Sequence, residues 1–122
     1  MTATRSVPLY HPTLSEADFT TWVIQTAQWH GWMASHFRTA RTAQGWRTAL
    51  EGHKGFPDVV LARDGEVIFA ELKTDTGRIR PDQKKWLAEL GPAAVVWRPR
   101  DRDTVLARLS TPRTAQPAQE NR

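Results

Sequence analysis

Residues 55–73 read GFPDVVLARDGEVIFAELK, and the fold turns on how this stretch doubles back on itself. Two apolar runs, Val59 to Ala62 and Val67 to Ala70, flank Asp64-Gly65. An Asp-Gly pair between apolar runs is a strong hairpin signal, because both central residues of a type I′ turn need positive φ. A two-residue turn opposes Arg63 to Glu66. Counting back along both strands then sets Asp58 opposite Glu71. Period-two alternation places Lys73 on the same face as Glu71. Directly opposed residues hold their Cβ atoms about 4.5–5.5 Å apart. The stretch therefore predicts two carboxylates side by side, with a lysine one step along the same face.

A purely structural role explains this arrangement poorly, since like charges directly opposed on a sheet are destabilising. Val60, Ala62, Val67 and Phe69 share the face, so the carboxylates sit at the edge of an apolar surface. A charge is costly there unless it is paired or metal-bound. A divalent cation resolves the conflict. Mg²⁺ takes one or two carboxylates and keeps waters or phosphate oxygens as its other ligands. It would polarise a phosphoryl oxygen and lower the pKa of a bound water. Lys73 either serves that water and the charge developing on the phosphate, or simply neutralises Glu71 as a surface pair.

The remainder of the chain sorts around this hairpin. The length of 122 residues suits one domain, and 39% hydrophobic residues with six tryptophans can fill a core. Seventeen Lys and Arg against thirteen Asp and Glu give a net charge of +4, which favours an anionic partner. With no cysteine, disulfides and Cys-type zinc sites are excluded, in keeping with a reducing cytoplasm. No run approaches the roughly 20 apolar residues of a membrane span, and residues 1–13 lack the apolar core of a signal peptide. These first residues read as a loose arm, residues 14–109 as the folded domain, and residues 110–122 as a polar, disordered tail.

Ser15, with Asp18 three residues on, starts a helix. Phe19, Trp22, Val23, Thr26 and Ala27 form its apolar stripe, and Gly31 ends it. Glu16 falls at the start of that stripe, as a site-facing carboxylate or as a first-turn acid favoured by the helix dipole. Residues 32–37 read as a strand containing His36, a packed or surface residue. The connection over residues 38–52 interleaves Arg38, Arg41 and Arg47 with Trp46. That pattern suits a phosphate backbone and a stacked base, or equally a tryptophan folded back under solvated arginines. His53 and Lys54 lie in a Gly-bounded loop, in reach of DNA or only of water. Arg78 and Arg80 follow Lys73 closely, as phosphate contacts or as a solvated turn. Pro81 opens a helix to Leu90, with Trp86, Leu87 and Leu90 as core and Gln83 as the polar member of the same face. Lys84 and Lys85 point outward. Residues 93–97 are an apolar strand of the kind found at the doubly covered centre of a sheet. Asp101 or Asp103 caps a last helix carrying Val105, Leu106 and Leu109. The order is α-β-β-β-α-β-α, an α/β sandwich.

Pro57-Asp58 followed by Glu71-Leu72-Lys73 resembles the PD-(D/E)xK nuclease signature. With Gly55-Phe56 ahead and Gly77, Gln83 and Trp86 behind, the string is similar to the VRR-NUC (virus-type replication-repair nuclease) domain over residues 15–109. The resemblance implies a restriction-endonuclease-like core, a mixed sheet flanked by helices. It implies a Mg²⁺- or Mn²⁺-dependent DNA endonuclease without an organic cofactor, hydrolysing phosphodiester bonds in repair, recombination or phage replication. Asp58 and Glu71 are then metal ligands together with the backbone carbonyl of Leu72. Lys73 orients or activates water, and Gln83 supports the site. Glu16 matches a helix-one glutamate that faces the metal. Small proteins of this kind dimerise and act on branched DNA such as a Holliday junction, and a homodimer is the corresponding expectation here. A monomeric nickase or flap nuclease, or a DNA-binding module without catalysis, are the alternatives.

Overall fold

Asp64 and Gly65 take positive φ, 53° and 85°, the turn that the Asp-Gly pair predicts. From it run two antiparallel strands, β4 (Val59–Arg63) and β5 (Glu66–Leu72). Arg63 faces Glu66 and Val59 faces Ala70, the register expected from a two-residue turn. The computed structural model in which this is seen describes residues 14–37, 40–42, 45–47 and 51–113. The arm over residues 1–13 and the end of the tail over residues 114–122 lie outside the described residues.

The hairpin is the centre of a four-stranded mixed sheet. β1 (Met33–His36) pairs antiparallel with β4, and β6 (Ala94–Trp97) pairs parallel with β5. Parallel neighbours need a crossover, and α2 (Pro81–Leu90) supplies it. α1 (Glu16–Trp29) precedes the sheet and α3 (Arg102–Leu109) follows it. This is the α/β order expected of a restriction-endonuclease-like core.

Alternation along the strands makes two unlike faces. Val59, Leu61, Ile68, Ala70, Leu72 and Trp97 are buried with Phe19, Trp22, Val23 and Ala27 of α1 and with Val105 and Leu109 of α3. This is the main core, and its helix residues are the predicted stripe. α1 begins where Ser15 predicts, the Ser15 hydroxyl accepting from the Asp18 N–H at 3.1 Å. The other face carries Val60, Phe69 and Glu71. It is closed by Phe56, whose ring meets Phe69 edge-on at 5.7 Å and Trp86 of α2 at 4.9 Å.

Four features depart from the sequence reading. The connection over residues 38–52 holds a second hairpin, β2 (Ala40–Thr42) against β3 (Gly45–Arg47). Three-residue strands are too short to show an alternating pattern, which is why they were illegible. β6 lies at the edge of the sheet, not at its centre. An apolar run reports that helices cover both faces of a strand; it does not report how many strands flank it. Trp86, Leu87 and Leu90, read as core, are only half-buried, and Trp86 Nε1 donates to the His53 carbonyl at 3.3 Å. The expected tail at Ser110 starts with residues that are bound to the domain: Arg63 donates to the Thr111 carbonyl at 2.9 Å, and Arg113 pairs with Asp64 at 2.9 Å.

Arg63 explains that attachment. It points into the core face and is 5% exposed. Its guanidinium stacks on Trp32 at 4.5 Å and also donates to the His30 carbonyl at 3.1 Å. The ends of α1 and α3 thus share one cation, where helix dipoles favour positive charge.

Candidate active site

The ladder between β4 and β5 stops at Val59 and Ala70. One residue further, the Asp58 side chain takes over, its Oδ2 accepting from the Leu72 N–H at 3.1 Å. The Asp58 carbonyl accepts from Phe37 N–H at 2.8 Å, which ties the same residue to the end of β1. Asp58 is therefore fixed by backbone on both sides, at the end of the hairpin away from the turn.

Glu71 lies beside it and is 1% exposed. Its Oε2 accepts from Gln83 Nε2 at 2.8 Å and lies 3.6 Å from Lys73 Nζ. Its Oε1 is buried and has no hydrogen-bond partner among the described residues. Burial, and then the neighbouring charge of Asp58, push the Glu71 carboxyl up to about 8, against the pull of Lys73 and Arg80. A buried acid at such a pKa is a frequent mark of a functional site.

The orientation of Gln83 follows from the start of α2. Its Oε1 accepts from the Arg80 N–H at 2.9 Å, capping the helix. The amide can then only present its NH₂ group to Glu71. The predicted polar member of the α2 stripe thus serves helix and carboxylate together. Gly55 brings loop and helix into register: at φ +100° it lies so close to α2 that a Cβ would sit 2.7 Å from the Asp82 carbonyl.

Asp58, Glu71, Lys73 and Gln83 are thus brought together. The other predicted residues are placed less uniformly. Arg80 is exposed, pairs with Asp82 at 3.3 Å, and is near enough to pull on Glu71. Arg78 is exposed. Lys54 lines an open groove of about 910 Å³ along α2, with His53, Asp82, Lys85 and Trp86. Arg41 and Trp46 are paired across the β2–β3 hairpin, and Arg47 ends it. Arg38 lies outside the described residues. Glu16 is exposed at the start of α1, and among the described residues no three His, Cys, Asp or Glu side chains gather as a metal-binding group. Asp58 and Glu71 remain the pair that fits a cation, on the strength of the unpartnered buried Oε1 between charged neighbours.

One set of contacts near the site went unread in the sequence. Arg98, at the end of β6, donates from Nη1 to the Thr74 carbonyl at 2.6 Å and the Gly77 carbonyl at 2.7 Å. Arg100 donates from its N–H to Asp75 Oδ1 and from Nη1 to the Asp75 carbonyl, both at 2.9 Å. Arg98-Pro99 signals the end of a strand, but nothing in a single sequence says which carbonyls an arginine will find.

The fold and this carboxylate pair define a nuclease-like α/β domain, and comparison with known families agrees. The model of the VRR-NUC domain matches residues 21–97, which include Asp58, Glu71, Lys73 and Gln83 but not Glu16. The chain belongs to the VRR-NUC family, a family of nuclease domains. Comparison with curated proteins and with solved structures gave no match.

Proposed function

We propose that the chain is a divalent-metal-dependent DNA endonuclease that hydrolyses phosphodiester bonds at the Asp58–Glu71–Lys73 site. The observation that carries this reading is the buried, unpartnered Oε1 of Glu71 beside Asp58, with Lys73 3.6 Å from the other oxygen of the same carboxylate. Asp58, Glu71 and the Leu72 carbonyl would hold the cation, Mg²⁺ or Mn²⁺, and Glu16 is a further carboxylate of this reading. Bound there, the cation would polarise a phosphoryl oxygen and acidify a water.

The protein's own groups do the rest. The Leu72 N–H fixes one oxygen of Asp58. Gln83 holds Glu71 in one orientation. The Lys73 ammonium orients the attacking water and stabilises charge developing on the phosphate. Arg80 and Arg78 hold the flanking phosphates. Lys54, Arg38 and the basic hairpin with Arg41, Trp46 and Arg47 extend the DNA contact. Phosphate contacts of this kind position a substrate without reading its sequence.

Branched DNA and a homodimer complete the proposal. A two-fold dimer offers two equivalent sites to two equivalent strands of a junction. Met33, 78% exposed, and Val67, 40% exposed, flank Ala62 across the sheet and leave apolar surface for a second copy. Among the described residues no helix is long and apolar enough to cross a membrane, and the cytoplasm is the proposed setting.

A labelled panel of four-way junction, flap, duplex and single strand, each with Mg²⁺, Mn²⁺ or EDTA, tests this reading. Metal-dependent cutting that favours the junction, by a protein of dimer mass, is expected. Equal rates on junction and duplex overturn the structural selectivity. Binding without cutting in either metal overturns the enzyme.

A further inference from the structure

We infer that Arg98 is a positioning residue for phosphodiester cleavage, cross-tying the turn after Lys73 so that Lys73, Arg78 and Arg80 address one substrate. This rests on the nuclease reading above. The backbone of β5 leaves the sheet at Lys73, whose N–H still donates to the Trp97 carbonyl at 3.1 Å. Beyond that bond the chain turns over residues 74–77, closed by Gly77 N–H to the Thr74 carbonyl at 3.2 Å. A single nitrogen, Arg98 Nη1, spans the same two residues through their carbonyls at 2.6 and 2.7 Å. Bonds from a charged donor are shorter and stronger than neutral ones.

Arg98 is itself held. Its N–H donates to Asp101 Oδ2 at 2.9 Å, and Arg100 adds two bonds to Asp75. The four residues after Lys73 are therefore fastened to the segment after Trp97 at both ends and in the middle. Among the described residues the Arg98 side-chain bonds end on backbone carbonyls of the turn and on no carboxylate. The task of the guanidinium is geometric. Misplacing a reacting group by about 1 Å can cost on the order of 100-fold in rate, and the turn joins Lys73 to both downstream arginines.

The test compares wild type with Arg98→Met, which keeps the apolar stem, with Arg98→Lys, and with Arg108→Ala. Arg108 pairs with Glu66 at 3.0 Å near the hairpin turn, at the other end of the sheet. Single-turnover cleavage, affinity for the same DNA, and amide exchange at Gly77 and Leu72 are measured for each. For Arg98→Met we expect cleavage to fall about 10–100-fold. DNA affinity should change far less, and exchange should quicken at Gly77 but not at Leu72. Lys offers three donors on one nitrogen, so Arg98→Lys should recover part of the rate and of the Gly77 protection. Arg108→Ala should cut like wild type.

Wild-type cleavage rate and Gly77 exchange retained in Arg98→Met overturn the positioning role and leave the nuclease reading intact. If Arg98→Met does not fold, Arg98→Lys decides: a rate loss tracking Gly77 exchange supports the role, and a rate loss with Gly77 unchanged overturns it. Wild type that cuts nothing in any metal overturns both readings together.

Discussion

Gln83 donates to Glu71 Oε2 at 2.8 Å while Oε1 of the same carboxylate is buried with no hydrogen-bond partner among the described residues. One oxygen is spoken for by the protein, and the other is left for a proton or a cation. Because the Gln83 carbonyl caps α2 through the Arg80 N–H, the amide cannot turn over to offer its oxygen to Glu71. The start of a helix thus sets the direction of a carboxylate on the neighbouring strand.

Gln83→Ala should lower activity more than stability. Supporting partners of metal-ligating carboxylates are typically worth about 10–100-fold in metal affinity or activity. Titration of Mn²⁺ by calorimetry, beside cleavage rates, checks this. Unchanged metal affinity in a folded Gln83→Ala would show that the amide serves the helix alone.

Without metal, stability should fall as pH rises through neutrality. Glu71 is raised from 4.5 to about 8 in the folded protein. Between these values the native state holds a proton that the unfolded state has released, so ∂ΔG/∂pH is negative there. Urea unfolding at pH 5.5 and 8 in EDTA measures it. Glu71→Gln should flatten the dependence and abolish cleavage. Saturating Mn²⁺ should also restore stability at pH 8, since a ligand of the native state stabilises by mass action.

Gly55→Ala combines a left-handed backbone, φ +100°, with a close approach to the Asp82 carbonyl. Strain of this kind costs about 1–3 kcal/mol. The substitution should lower Tm and also slow cleavage, because the same loop leads to Asp58. A Tm loss with full activity would mean that loop and site move independently.

Arg63→Ala should do the reverse. It strips donors from His30 and Thr111 and uncovers Trp32, with each charged hydrogen bond worth about 1.5–3 kcal/mol. Yet Arg63 lies at the turn end of the hairpin, away from Asp58. Chemical denaturation should show the loss, while specific activity of the folded fraction should remain that of wild type.

The hairpin was legible because its two signals are local and agree: an Asp-Gly turn that needs positive φ, and apolar runs that set the register. From register alone came the proximity of Asp58, Glu71 and Lys73. The α1 stripe and the span of α2 were legible for the same reason, since period and caps are written in neighbouring residues. The edge position of β6 was not, because sheet order depends on contacts between distant segments. Nor were Arg63 and Arg98, whose partners are carbonyls far along the chain. Long flexible cations read as surface charge until the carbonyls they serve are seen. Glu16 shows the converse: helical spacing allowed a site-facing carboxylate or a first-turn acid, and the residue is exposed in the first turn of α1.

The most direct test of the account is the cleavage rate of Lys73→Ala against wild type on one labelled four-way junction in Mg²⁺, at enzyme concentrations that saturate the DNA. The account predicts rapid cutting by wild type that EDTA abolishes, and a Lys73→Ala protein that binds the junction but leaves it intact. Equal cutting by both proteins, with or without metal, would contradict it.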